Sequence, residues 1–269
     1  MARKLMLITG ASAGIGAEFA RQYAARGWDV ALTARRLDRL DALAMDIEKR
    51  YRTQAITVAQ DLARPDAVDM LLAELKEHGR SPDGVVNNAG YGLPGTFFNT
   101  SWEDQAAFLQ VLLTVPCELT HKVLPGMVDR GFGRIINVAS LAGYTPGSNG
   151  HTLYAPVKSA LIKLSESVHA EASAAGHNIH VCALCPGFTW TEFHDVNGTR
   201  EQTKQTPNWM WMEAGPVVEA GIDAVERGMP VVVPGAVNKG MATLAKLLPE
   251  PIGRAVMQQQ SRRFRNAGD

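Results

Sequence analysis

Cysteine is scarce, with three in 269 residues. That excludes the disulfide framework of a small secreted domain. Cys182 and Cys185 form a CxxC inside the apolar run VCALCP. No second ligand pair stands at zinc-site spacing, so these read as buried strand thiols and no metal is expected. Cys117 stands apart. Charge excess is also missing: 27 basic residues meet 27 acidic ones. Nothing in that balance points to nucleic acid or an anionic membrane as partner. We find no segment with the ~20 apolar residues of a membrane span. The start, MARKLMLITG, lacks a long apolar segment and a small-residue cleavage site, so it reads as a first strand, not a signal peptide. A reducing cytoplasm is the expected location.

What is present is rhythm. Short apolar runs (4–9, 29–34, 55–60, 84–90, 134–140, 178–184 and 230–235) alternate with longer segments of 3.6-residue period. Those segments run over 15–26, 37–50, from near Pro65, 102–130 with a bend near Pro116 and Pro125, and 154–175. Such alternation predicts βαβ units and a mostly parallel sheet. The runs are apolar throughout, as expected of strands covered on both faces. Two regions break the pattern: 186–215, where aromatic and polar residues mix, and the tail after Val233.

LITGASAGIG, residues 7–16, lies between the first strand and the first helix. Its glycines, Gly10, Gly14 and Gly16, let backbone approach a pyrophosphate closely, and a helix N-terminus offers unpaired N–H groups there. The spacing is not GxGxxG, and the GK[ST] of a nucleotide triphosphatase is absent. The second strand ends without the carboxylate that would accept from a ribose diol. Arg35 and Arg36 stand there instead, suited to a 2′-phosphate. NADP(H) is the expected cofactor. Asp61 and Leu62 follow the third strand; Asn87, Ala89 and Gly90 follow or end the fourth, where ligand-facing loops belong. Asp61 can accept from an adenine amino group or simply form a turn.

TGASAGIG, Asp61, NNAG, Ser140, the YxxxK of Tyr154 and Lys158, and Pro186–Gly187 occur in the order found in the short-chain dehydrogenase/reductase family. The resemblance spans about residues 3–235. It implies a single Rossmann-like, doubly wound α/β domain over 1–269, around a seven-stranded parallel sheet. It further implies hydride transfer between a nicotinamide cofactor and a carbonyl or alcohol, in a homodimer or homotetramer. By the same resemblance Tyr154 is the general acid/base, and Lys158 binds the nicotinamide ribose and lowers the tyrosine pKa. Ser140 holds the substrate oxygen. Ser12, Ile15, Thr189 and Thr191 lie along the cofactor. The chemistry suits the residue types, because a phenol needs a nearby cation to exchange protons near neutrality.

One departure stands out. Where the family carries a water-holding asparagine, this chain has Leu112. Three readings follow: other groups hold the water, the enzyme is slower or takes an activated substrate, or the chain is a cofactor-binding regulatory or structural protein. On the substrate side, the resemblance implies a cap over about 188–215, which here offers Phe188, Trp190, Phe193 and Trp209, with Met210 and Met212 as adaptable filling. Tyr91, Leu93, Leu112, Leu141 and Tyr144 join them from the same sheet edge. They suggest a moderately hydrophobic carbonyl or alcohol. His194 is a weaker candidate contact. An extension follows from about 236. Pro156 predicts that the helix bearing Tyr154 begins close to that tyrosine, because the penalties of a helical proline shrink in a first turn.

Overall fold

A computed structural model describes residues 3–147, 150, 152–193, 206–248 and 251–253. Seven strands form one sheet: β1 (Leu5–Thr9), β2 (Asp29–Ala34), β3 (Ala55–Ala59), β4 (Gly84–Asn87), β5 (Gly133–Val138), β6 (Ile179–Leu184) and β7 (Val231–Val232). Their order is β3-β2-β1-β4-β5-β6-β7, and every pairing is parallel. The chain builds outward from β1 to β3, then returns to build from β4 to β7. Between β1 and β4 the winding reverses, and this opens a crevice at the carboxyl ends of the strands.

Helices cover both faces. On one side lie α1 (Gly14–Ala25), α2 (Leu37–Tyr51) and α7 (Ala214–Glu226). They pack Phe19, Tyr23, Leu40, Ile47 and Val225 against Met6, Ile8, Val30 and Leu32. The other side holds α3 (Ala67–Glu77), α4 (Trp102–Leu109), α5 (Val115–Asp129) and α6 (Tyr154–Ala174). Their Leu71, Leu75, Phe108, Leu119 and Val157 meet Leu5, Leu7, Ala31 and Val85. Alternate strand residues thus serve opposite cores, which is why the strands are mostly apolar and do not alternate with polar residues. A last helix, α8 (Ala236–Leu247), follows β7.

Sequence and structure differ in local detail. Pro65 lies in a turn ahead of α3, whose first residue is Ala67, so it is not the helix's opening residue. The bend near Pro116 takes a definite form. Gln110–Thr114 is one π turn between α4 and α5, with the Val115 N–H donating to the Gln110 carbonyl five residues back. Proline explains it: Pro116 has no N–H, and in a straight α-helix its ring would meet the Leu112 carbonyl. The run Trp102–Asp129 is, contrary to the sequence reading, long and apolar enough to match a membrane span. Its Phe108, Val111, Leu112, Val115, Leu119, Val123 and Met127 are buried in the second core, which accounts for the composition without a membrane.

Candidate active site

The glycine loop is built by backbone crowding. Gly10 and Gly14 adopt φ of +66° and +55°, the left-handed region that favours glycine. A Cβ on Gly16 would lie 2.3 Å from the Gly10 carbonyl oxygen. Asn88 braces the loop, its amide donating to the carbonyls of Thr9 and Gly10 at 3.0 and 3.1 Å. The backbone N–H groups of Asn88 and Ala89 both donate to the Thr9 hydroxyl. The sequence reading missed Asn88 and chose its neighbour Asn87. Asn87 faces the core instead, donating to Asn137 Oδ1 at 2.8 Å and tying β4 to β5.

Loop and helix suit a dinucleotide. Ala13, the residue ahead of α1, makes no side-chain cap, and the first turn carries no acid of its own. Its N–H groups and positive dipole end are therefore available to an anion from outside. Arg35 is exposed after β2, and its charge pulls on the Tyr91 phenol, whose pKa burial raises. Arg36 reaches back to Ser12, donating to its Oγ at 3.0 Å. Ile15 packs against the first core, and Leu62 is buried in the second. Asp61 accepts from the Ala63 N–H at 3.0 Å, so one carboxylate oxygen serves the turn. Gly90 stands against the Leu112 side chain. The Pro186 carbonyl accepts from the Leu141 N–H at 2.9 Å. Gly187 lies against Asn238; the Thr189 hydroxyl donates to the Gly187 carbonyl at 3.2 Å, and Thr191 lies over Gly14.

Ser140, Tyr154 and Lys158 converge at the end of β5. The Ser140 Oγ accepts from the Ala142 N–H at 3.1 Å, capping the 3-10 turn Leu141–Tyr144. Its hydroxyl acts on the Tyr154 phenol, favouring the ionised form. Tyr154 is the first residue of α6, and Pro156 lies in that first turn, as its backbone chemistry requires. Lys158 follows one turn later, buried, with Nζ donating to the Val138 carbonyl at 2.7 Å and 5.6 Å from the Tyr154 ring centre.

Burial dominates the electrostatics of this group. Burial pushes the Tyr154 phenol above its ordinary range, and only the Ser140 hydrogen bond acts against it. Lys158, to which the resemblance gives the lowering of the tyrosine pKa, is desolvated as well. Burial brings its pKa down to about 8.

The substrate-side residues do not form one group. A small cavity beside Tyr154 is lined by Leu93, Gly95, Thr100, Gln105, Phe108, Thr152 and Leu153. Only Leu93 of these was foreseen. Tyr91 meets Phe108 edge-on at 5.5 Å, and Phe193 lies 6.2 Å from the Tyr154 ring. Phe188 and Trp190 instead pack on Trp211, at 5.3 and 4.1 Å. Thr189 and Met212 bridge the two described parts of the cap. Trp209 belongs to a separate hollow with Met210, Met212 and Asn238, of about 140 Å³. Leu112 is 1% exposed and is a core residue, not a pocket wall. Leu141 is half-buried in the turn, and Tyr144 turns toward α8, its hydroxyl accepting from Cys185 and its ring under Lys246. His194 lies outside the described residues.

Comparison with known proteins agrees with this geometry. The short chain dehydrogenase family model matches residues 4–202. A sulfoacetaldehyde reductase of Chromohalobacter salexigens is 34% identical over 190 residues, covering 70% of this chain and 73% of that one. A short-chain dehydrogenase from Sphingobium yanoikuyae, solved with NADPH, superposes with a TM-score of 0.78 at 29% identity. The match covers 92% of this chain and 97% of that one. A bulky-bulky ketone specific alcohol dehydrogenase from Comamonas testosteroni superposes at 0.74 and 25% identity, over 93% and 96% of the two chains. The family match over residues 4–202, on a doubly wound sheet of seven parallel strands, shows that the chain belongs to the short-chain dehydrogenase family of oxidoreductases.

Proposed function

We propose that the chain transfers hydride between NADP(H) and a moderately hydrophobic ketone, aldehyde or secondary alcohol, with Tyr154 as the general acid/base. The observation that carries this reading is the convergence of Ser140, Tyr154 and Lys158 beside the glycine loop. When bound, the nicotinamide supplies or accepts the hydride. The residues handle the proton. Tyr154, neutral in the free chain, donates its phenolic proton to the carbonyl oxygen during reduction. The resulting phenolate is stabilised by the Ser140 hydroxyl and the Lys158 charge. Ser140 is oriented in advance, because its oxygen already accepts from Ala142 and its proton is left for the reacting oxygens.

NADP(H) is favoured over NAD(H) by the end of β2, which is followed by Arg35 and Arg36 and no carboxylate, with Arg39 in the first turn of α2. The Sphingobium relative was solved with NADPH. Substrate class rests on Leu93, Phe108 and Leu153 beside Tyr154, where Thr100, Gln105 and Thr152 also stand, and on Phe193 tilted against the Tyr154 ring. The relative specific for bulky ketones fits the same class. Leu112 favours a second reading, a cofactor-binding protein without turnover, since a buried leucine cannot hold a water. Purified protein with NADPH and a panel of apolar carbonyls decides between them. Turnover that Tyr154→Phe abolishes supports the enzyme; tight NADPH binding without turnover on any carbonyl supports the second reading.

A further inference from the structure

Three consecutive residues after Pro186–Gly187 touch three different parts of the cofactor crevice. Thr191 covers Gly14, lying 3.0 Å from where a Cβ there would stand. Phe193 packs 6.2 Å from the Tyr154 ring. Between them, Glu192 reaches the arginines that follow β2. Its carboxylate accepts from Arg39 Nη1 at 2.7 and 2.8 Å and from Arg36 Nη1 and Nη2 at 3.3 and 3.4 Å. Arg36 at the same time donates to Ser12 Oγ in the glycine loop. The two guanidinium groups hold the carboxyl below its usual range.

A lone surface ion pair contributes little. This one differs in that Glu192 is fixed on both sides by residues packed on the crevice, and its anion rests on two cations at once. One of those cations, Arg36, is among the two arginines to which the cofactor reading gives a 2′-phosphate, and Arg39 lies beside it on the same carboxylate. We propose that Glu192 is a specificity-determining residue: a tethered carboxylate that occupies Arg36 and Arg39 and competes with the 2′-phosphate of NADP(H) for them. A phosphate dianion and a carboxylate cannot share two guanidiniums without mutual repulsion. The 2′-phosphate must therefore displace Glu192, and a cofactor without that phosphate leaves the contact in place. Glu192 narrows the preference for NADP(H) that the arginines alone would give.

The inference rests on the NADP(H) reading, and one binding experiment separates the two. NADPH and NADH are titrated by calorimetry into wild type and Glu192→Gln at equal ionic strength. Side-chain exposure of 45% at Glu192 makes the substitution compatible with folding. The expected result is NADPH bound about threefold to tenfold more tightly by the variant, with NADH within twofold of wild type. Wild type that prefers NADPH, with a variant that gains no NADPH affinity, overturns the role of Glu192 alone. No preference in wild type but a new one in Glu192→Gln supports the competition and overturns NADP(H) as the native choice. No preference in either protein overturns both.

Discussion

Burial acts on Tyr154 and Lys158 in the same sense, against the charged form of each, and so in opposite pKa directions. This gives a sign-defined test. The folded-state pKa of Lys158, about 8, lies below its ordinary 10.5. Between those values the unfolded chain holds more protons, so the lysine's contribution to stability rises with pH, by up to about 1.4 kcal/mol per unit. The burial cost is fully present below pH 8. Buried Cys182 and Cys185, raised to about 12 and 11, act the other way once unfolded thiols ionise. The difference between Lys158→Met and wild type isolates the lysine. In urea unfolding, the variant's relative advantage should shrink from pH 8 toward 10.5; a pH-independent difference would show that the lysine is not desolvated. Arg35→Ala is expected to weaken NADPH binding about tenfold and leave NADH binding within twofold. Equal losses would mean that Arg35 does not read the 2′-phosphate. At this scale the sequence carried the residue types well. It could not reveal that burial raises the Tyr154 phenol, because desolvation depends on packing from distant segments.

Among the elements, proline marks the informative joints. Pro156 locates the start of α6, and with it the tyrosine, from backbone chemistry alone. Pro116 foretold a bend, though only coordinates show a π turn holding Leu112 in the core. The glycine loop was readable for the same reason: each glycine answers a backbone demand. Gly16→Ala tests that demand, since the new methyl would meet the Gly10 carbonyl and force loop and helix apart. We expect a loss of at least about 2 kcal/mol in stability and at least tenfold in NADPH affinity; near-wild-type values in both would show a loop able to yield. Gln105 was not legible. Its amide nitrogen holds Thr100, its oxygen is buried without a partner among the described residues, and it lines the cavity beside Tyr154. Nothing in the local pattern of α4 separates it from an ordinary polar surface residue.

In the molecule as a whole, the doubly wound sheet followed from seven apolar runs and the helices between them. Its crevice followed from where the winding reverses. The cap did not follow, because its aromatics divide among three places: Phe193 at Tyr154, Phe188 and Trp190 on Trp211, and Trp209 in a separate hollow. Aromatic content alone does not say which neighbour a ring will choose. Because β1 and β4 contribute to both cores and to the crevice, cofactor binding should stabilise the sheet as one unit. NADPH at about a hundred times its Kd adds about 2.7 kcal/mol. That predicts a single, upward-shifted thermal transition. Two transitions, only one of them moved, would contradict a common unit.

The central claim is proton exchange by Tyr154 during NADPH-dependent carbonyl reduction. Its most direct test follows the loss of reduced-nicotinamide absorbance with bulky apolar ketones, in wild type and Tyr154→Phe, after NADPH affinity has been measured for both. The account predicts turnover by wild type, a fall of about a thousandfold or more in the variant, and cofactor affinity kept within twofold. Turnover that survives in Tyr154→Phe, or wild type that binds NADPH and reduces nothing, would contradict it.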